Sequence, residues 1–184
     1  MKDSLSLLNS IKDESKQGKL PPVDSWNPDY CGDSDIVIRH DGSWWHQGTM
    51  FKRQKLVELF SRIIRLDDDE KYYLVTPVEK MLLTVEDVPF LVVGFEMLED
   101  DGEQKILFET NVGDSVLVDE MHPISVKAAE DEPAPYVLIR RNLKARVARS
   151  VYYQLLEIAK EEKQGKETVM VLESCGQKFE LGRY

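Results

Sequence analysis

Residues 30–49 read YCGDSDIVIRHDGSWWHQGT and gather the densest set of chemically capable side chains in the chain. Asp33, Asp35, His40, Asp41 and His46 offer oxygen and nitrogen donors of the kind that hold a divalent ion. The spacing fits no calcium loop: an EF-hand needs a glutamate at its twelfth position, and counting from Asp33 that position is Trp44. Cys31 could serve as a nucleophile only beside a base, and YCGD supplies none. Paired carboxylates for general acid–base work could be drawn from Asp33, Glu79 and Asp87. Acids are so abundant here that such a pair is expected by chance. The chain has no GxSxG elbow, no P-loop and no dinucleotide fingerprint. The residues therefore assign no catalytic group, no metal and no cofactor. A carboxylate-based hydrolase stands as the alternative to a binding protein.

A second chemical signal is basic. Residues 140–149, RRNLKARVAR, hold five bases and no acid in a chain of net charge −10. A segregated basic patch attracts phosphate, carboxylate or an acidic protein surface. Both expected helix starts, FKRQK and KARVARS, also carry cations where the helix dipole disfavours them. Trp44 and Trp45, adjacent in an expected strand, must face opposite sides, one into a core and the other outward.

These groups need elements to hold them. The chain has 184 residues, 42% hydrophobic and 32% charged, enough for a folded core in one ordinary domain or two small ones. Its acidity argues against nucleic acid as a partner. No apolar run is long enough to cross a bilayer. Two cysteines outside any CxxC pair suggest a reducing, cytoplasmic setting.

Leu5, Leu8 and Ile11 suggest a helix over 3–16, followed by a proline arm, GKLPPVDSWNP. SDIVIR and SWWHQGTMF flank Asp41-Gly42, a hairpin turn signal. In RQKLVELFSRIIR, Leu56, Leu59, Phe60 and Ile63 form one helical face. KYYLVTP and KMLLTVED read as strands. FLVVGFEML, EQKILFETN, DSVLVDE and PISVKA suggest an antiparallel meander. The end of the chain then repeats the pattern. Tyr152, Leu155, Leu156 and Ala159 lie 96 residues beyond the first helical face, and the same offset carries Arg149 to Arg53 and Val171 to Val75. This predicts a duplication whose two helices sit equivalently among antiparallel strands.

The combination WNPDYCGDSDIVIRHDGSWWHQGT, TPVEKMLLTVEDVPF, TNVGD and RSVYYQLLE resembles the proteobacterial domain-of-unknown-function family twelve eighty-five, from about Pro21 to about Leu181. The resemblance implies a duplicated α+β core and a C-terminal half similar to a pleckstrin-homology-like barrel. It also implies ligand binding or signal transduction. The expected organisation is an N-terminal helix and arm over 1–20, a first α+β repeat over 21–88 and a second, pleckstrin-homology-like domain over 89–184. The fold class is α+β, built on a duplicated strand-strand-helix-strand-strand motif with antiparallel sheets. The expected function is a ligand- or partner-binding module with a polar site between the halves. Its residues would be Asp33, Asp35, Trp44, Thr76 and Glu79 from the first half, and Asn111, Asp114, Arg140 and Arg149 from the second. The expected partner is an anionic small molecule or an acidic protein.

Overall fold

The computed structural model describes residues 20–100, 102–127 and 134–183. The helix expected over 3–16 lies outside them. Two units divide the chain, one ending at Pro89 and the other beginning at Phe90.

The first described element of the first unit is a short 3-10 turn, Val23–Ser25. Six strands follow: β1 (Tyr30–Ile38), β2 (Trp44–His46), β3 (Thr49–Met50), β4 (Ile64–Leu66), β5 (Tyr72–Val75) and β6 (Lys80–Val85). They form one sheet in the order β3-β2-β1-β6-β5-β4. Alternation along β1 sends Ser34, Ile36 and Ile38 inward, with Trp44 opposite Ile38 in the same core. Gly42 closes the β1–β2 turn at φ +78, a conformation open to glycine without a Cβ penalty.

The first helix spans Gln54–Ser61, and Val57 and Phe60 are its buried apolar residues. The expected face ran on to Ile63. The helix ends earlier because Ile63 and Ile64 are β-branched, and Ile64 pairs with Leu74 at the start of β4.

In the second unit the strands are β7 (Phe90–Asp100), β8 (Glu103–Thr110), β9 (Ser115–Leu117), β10 (Ile124–Lys127), β11 (Ala134–Arg140) and β12 (Leu143–Val147). They make a six-stranded sheet in the order β10-β11-β12-β7-β8-β9. The second helix, Arg149–Ile158, buries Val151, Tyr152 and Leu155. Ala159, expected on its face, is instead the extended residue that ends it. After it come β13 (Lys160–Gln164), β14 (Glu167–Ser174) and β15 (Gln177–Arg183), a separate three-stranded sheet. This sheet packs on the larger one through β8 with β14 and β10 with β15, and the helix lies against β7 and β14.

The described residues thus form two repeated sheet-rich units, 13% helical and mostly β, with mixed as well as antiparallel sheets. Three expectations are corrected. β1 pairs with β6, and β12 with β7, in parallel. β10 does not continue the meander from β9 but joins β11. The two helices, although each sits between a hairpin and a three-stranded meander, are not surrounded alike. In the first unit the meander joins the hairpin sheet through β6. In the second the parallel position beside the hairpin is taken by β7, and the meander forms its own sheet.

Candidate functional site

Asp33 and Asp35 lie exposed on β1. The Asp33 carboxylate accepts the Asp35 amide at 2.8 Å, and Asp35 sits at φ +57 where the pairing with β6 shifts register. The strand is therefore bulged rather than extended at this point. Asp35 also accepts from Gln47 Nε2 at 3.2 Å. Trp44 is 2% exposed and belongs to the core, which corrects its place among the binding residues. It pairs with Ile38 on the inward side, so Trp45 takes the outer face.

Thr76 and Glu79 are both buried and close one turn. The Thr76 amide donates to the Glu79 carbonyl at 2.9 Å, and Thr76 Oγ1 accepts the Glu79 amide at 3.0 Å. The second unit repeats this device. The Thr110 amide donates to the Asp114 carbonyl at 2.9 Å, and Thr110 Oγ1 accepts the Asp114 amide at 3.0 Å. Side-chain hydroxyls that replace backbone partners in this way fix a turn.

The turn at 110–114 grips the start of the second unit. Asn111 donates its amide to the Leu91 carbonyl at 2.8 Å and accepts the Leu91 amide on Oδ1 at 3.0 Å. Asp114 Oδ1 accepts from Arg140 Nη1, and the Arg140 guanidinium lies 4.7 Å from the Phe90 ring centroid. The Arg140 side chain is 8% exposed and that of Asp114 is 24% exposed. Asp114 Oδ2 is buried with no hydrogen-bond partner among the described residues. Asn111, Asp114 and Arg140 thus converge on Phe90 and Leu91, the first residues of β7.

Arg149 is exposed at the first position of the second helix. Its Nε donates to Tyr153 Oη at 3.2 Å, and its guanidinium lies 5.7 Å from the Tyr153 ring. The helix has no acid in its first turn.

Sequence reading alone missed a cluster at the edge of the first sheet. Arg65, on β4, holds both Asp67 oxygens through Nε and Nη2 and donates Nη1 to the carbonyls of Val23 at 3.0 Å and Trp26 at 2.7 Å. Lys80 joins Asp67 and sits 4.0 Å from the Tyr73 centroid. Burial pushes the Asp67 carboxyl up, but hydrogen bonds from Arg65 and Lys80 outweigh it and hold it below the usual carboxylate range. Tyr73 donates to Asp69 at 2.8 Å, and that bond, with burial, pushes the phenol up to about 12. The available signal was Asp67, the first acid of the run 67–70: it lies between Arg65 and Lys80, while Asp68, Asp69 and Glu70 are exposed. Among the described residues no three His, Cys, Asp or Glu side chains group as metal ligands.

The geometry defines a class first: a duplicated, sheet-rich protein whose polar motif residues lock turns and strand starts. The matches name the family. Residues 21–88 match "Domain of unknown function (DUF1285), N-terminal domain", and residues 89–181 match "Protein of unknown function (DUF1285), C-terminal domain". The chain belongs to the DUF1285 family. Among solved structures it is similar to a DUF1285 family protein from Silicibacter pomeroyi DSS-3, with 38% identity, a TM-score of 0.80, and 95% of this chain and 93% of that chain covered. It is also similar to one from Shewanella baltica OS155, with 30% identity, a TM-score of 0.52, and 67% of this chain and 91% of that chain covered. No protein of curated function matches it. No helix among the described residues is long and apolar enough to cross a membrane.

Proposed function

We propose that the protein is a binding module and that its second unit recognises an anionic small molecule or an acidic protein surface. The supporting observation is the register of β10–β12. Tyr136 on β11 pairs with Arg146 on β12, Leu138 pairs with Lys144, and Ser125 on β10 pairs with Tyr136. Cross-strand partners share a face, so Lys144 and Arg146 stand together on one side of the sheet. Lys127 reaches the same side and lies 4.6 Å from the Tyr136 ring centroid. Lys127 and Lys144 are exposed, and the described residues of these three strands include no acid. The opposite side carries Ile124, Val137, Ala145 and Val147 in the core. Arg149 follows β12 directly and is exposed as well.

Three cations on a pleated face, one of them stacked on tyrosine, give an anion fixed points of contact at little entropic cost. A cytoplasmic location, a pleckstrin-homology-like second domain over 89–184 and a role in signal transduction belong to the same proposal. Two sheets packed on each other, with the helix Arg149–Ile158 against β7 of one and β14 of the other, support the second of these.

The test is a titration of the isotope-labelled protein with inorganic phosphate, citrate and polyglutamate, read by amide chemical shifts. Shifts should centre on Lys127, Lys144 and Arg146. They should weaken as salt rises through about 0.1 M, where the screening length is about 10 Å. A Lys144→Glu, Arg146→Glu variant should bind at least ten-fold more weakly at unchanged melting temperature. Equal binding by that variant would refute the proposal.

A further inference from the structure

The turn between β1 and β2 is built more firmly than a connecting turn requires. Trp45 Nε1 donates to Ser43 Oγ at 2.8 Å, and Ser43 Oγ donates to Asp41 Oδ1 at 2.5 Å. Asp41 Oδ1 also accepts the Ser43 amide at 2.9 Å. The hydrogen bonds from Ser43 hold the Asp41 carboxyl below its ordinary range, with a smaller contribution from the Arg39 charge. From the other side, the Glu86 carboxylate accepts the His40 amide at 2.9 Å, and the Glu86 amide donates to the Ile38 carbonyl at 3.0 Å. The turn is therefore fixed at both flanks.

What this frame holds is a stacked pair. The Arg39 guanidinium lies 3.9 Å from the Trp45 ring centroid. Arg39 is exposed, and no described residue forms an ion pair with it. Trp45 pairs with Val37 on one side and Met50 on the other, so an apolar row Val37–Trp45–Met50 runs across the outer face. Met50 is 47% exposed and lies on β3, the edge of the sheet.

We propose that this hairpin is a docking surface for a protein segment that offers a carboxylate beside an apolar side chain, with Arg39 and Trp45 as its anchors. Charge complementarity selects that occupant. In a chain of net charge −10, Arg39 is an exposed cation over the Trp45 indole, and an edge of its guanidinium carries two parallel N–H donors. A carboxylate can take two parallel hydrogen bonds from that edge. The apolar row accepts the neighbouring side chain. Arginine and tryptophan are the residue types that most often dominate such interfaces, and rigidity in the free state reduces the entropy lost on docking. The surface belongs to the first unit and is independent of the basic face of the second.

The test titrates a capped hexapeptide of alternating glutamate and leucine into labelled full-length protein. Versions with lysine or serine in place of glutamate serve as controls. The expected result is a shift of the Trp45 indole and Gly42 amide signals with the glutamate peptide alone. Affinity should fall at least ten-fold in Arg39→Gln, with the melting temperature unchanged. The same shifts should persist in the Lys144→Glu, Arg146→Glu variant, which separates this surface from the basic face. No shift with the glutamate peptide, an equal shift with the lysine peptide, or undiminished binding by Arg39→Gln would each overturn the proposal.

Discussion

Replacing Arg140 by methionine keeps an unbranched apolar stem over Phe90 and removes the charge. Asp114 then keeps a carboxylate with one buried, unpartnered oxygen and no cation on the other. Breaking a fully buried ion pair costs about 3–5 kcal/mol because the remaining charge is left uncompensated. The Asp114 side chain is 24% exposed, and partial hydration lowers that figure. An expected loss of about 2–3 kcal/mol remains, within that reasoning. For a unit of this size each kcal/mol lowers the melting temperature by about 4–8 °C, so Arg140→Met should melt about 10–20 °C lower. The assay is thermal unfolding of the single variants and of Arg140→Met, Asp114→Asn. The double variant should recover part of the loss, since neutral asparagine needs no counter-charge. A loss under about 0.5 kcal/mol in Arg140→Met, the size of an ordinary surface change, would refute a clamping role for the pair.

Three further outcomes are expected. Arg65→Ala removes the donor to the Val23 and Trp26 carbonyls, so residues 21–26 should exchange amide hydrogens faster while the core strands stay protected; unchanged exchange there would contradict the role given to Arg65. Ser174→Ala leaves the Ile106 amide without the hydroxyl it meets at 2.9 Å, and should cost about 1–3 kcal/mol by denaturant unfolding. The Tyr73 phenol has a raised folded-state value, so its bond to Asp69 contributes in full below the unfolded value of 10.0 and is lost as pH rises toward about 12; a tyrosinate absorbance titration should lose a component near pH 12 in Tyr73→Phe.

Local chemistry explains what was legible in the sequence. Asp41-Gly42 is a turn because glycine takes a positive φ there, and alternation in SDIVIR put Ile36 and Ile38 inside. The 96-residue offset found both helices, because apolar periodicity is a property of each segment alone. The parallel pairings were not visible. They join β1 to β6 and β12 to β7 across long stretches of chain, and no local pattern marks which edge a strand will choose. KMLLTV and FLVVGF, with runs of apolar residues in place of strict alternation, were the one hint of parallel pairing, although Thr84 and Val93 remain exposed.

The polar motif residues were picked out by their types and spacing, but their intrachain partners were not. Thr76, Asn111, Asp114 and Arg140 were expected at a ligand, and in the structure they hold turns and the start of β7. Spacing identifies polar residues that matter without saying whether their partner is the chain itself. Trp44 and Trp45 show the same limit: alternation requires one inside and one outside, and only pairing with Ile38 decides which.

The central claim is that the second unit binds anions on the face carrying Lys127, Lys144 and Arg146. The most direct measurement is the amide-shift titration of the intact protein with citrate at low salt. Saturable shifts confined to β10–β12 and the start of the second helix, abolished by Lys144→Glu, Arg146→Glu, are the predicted result. Shifts scattered over the surface, or unchanged in that variant, would contradict it.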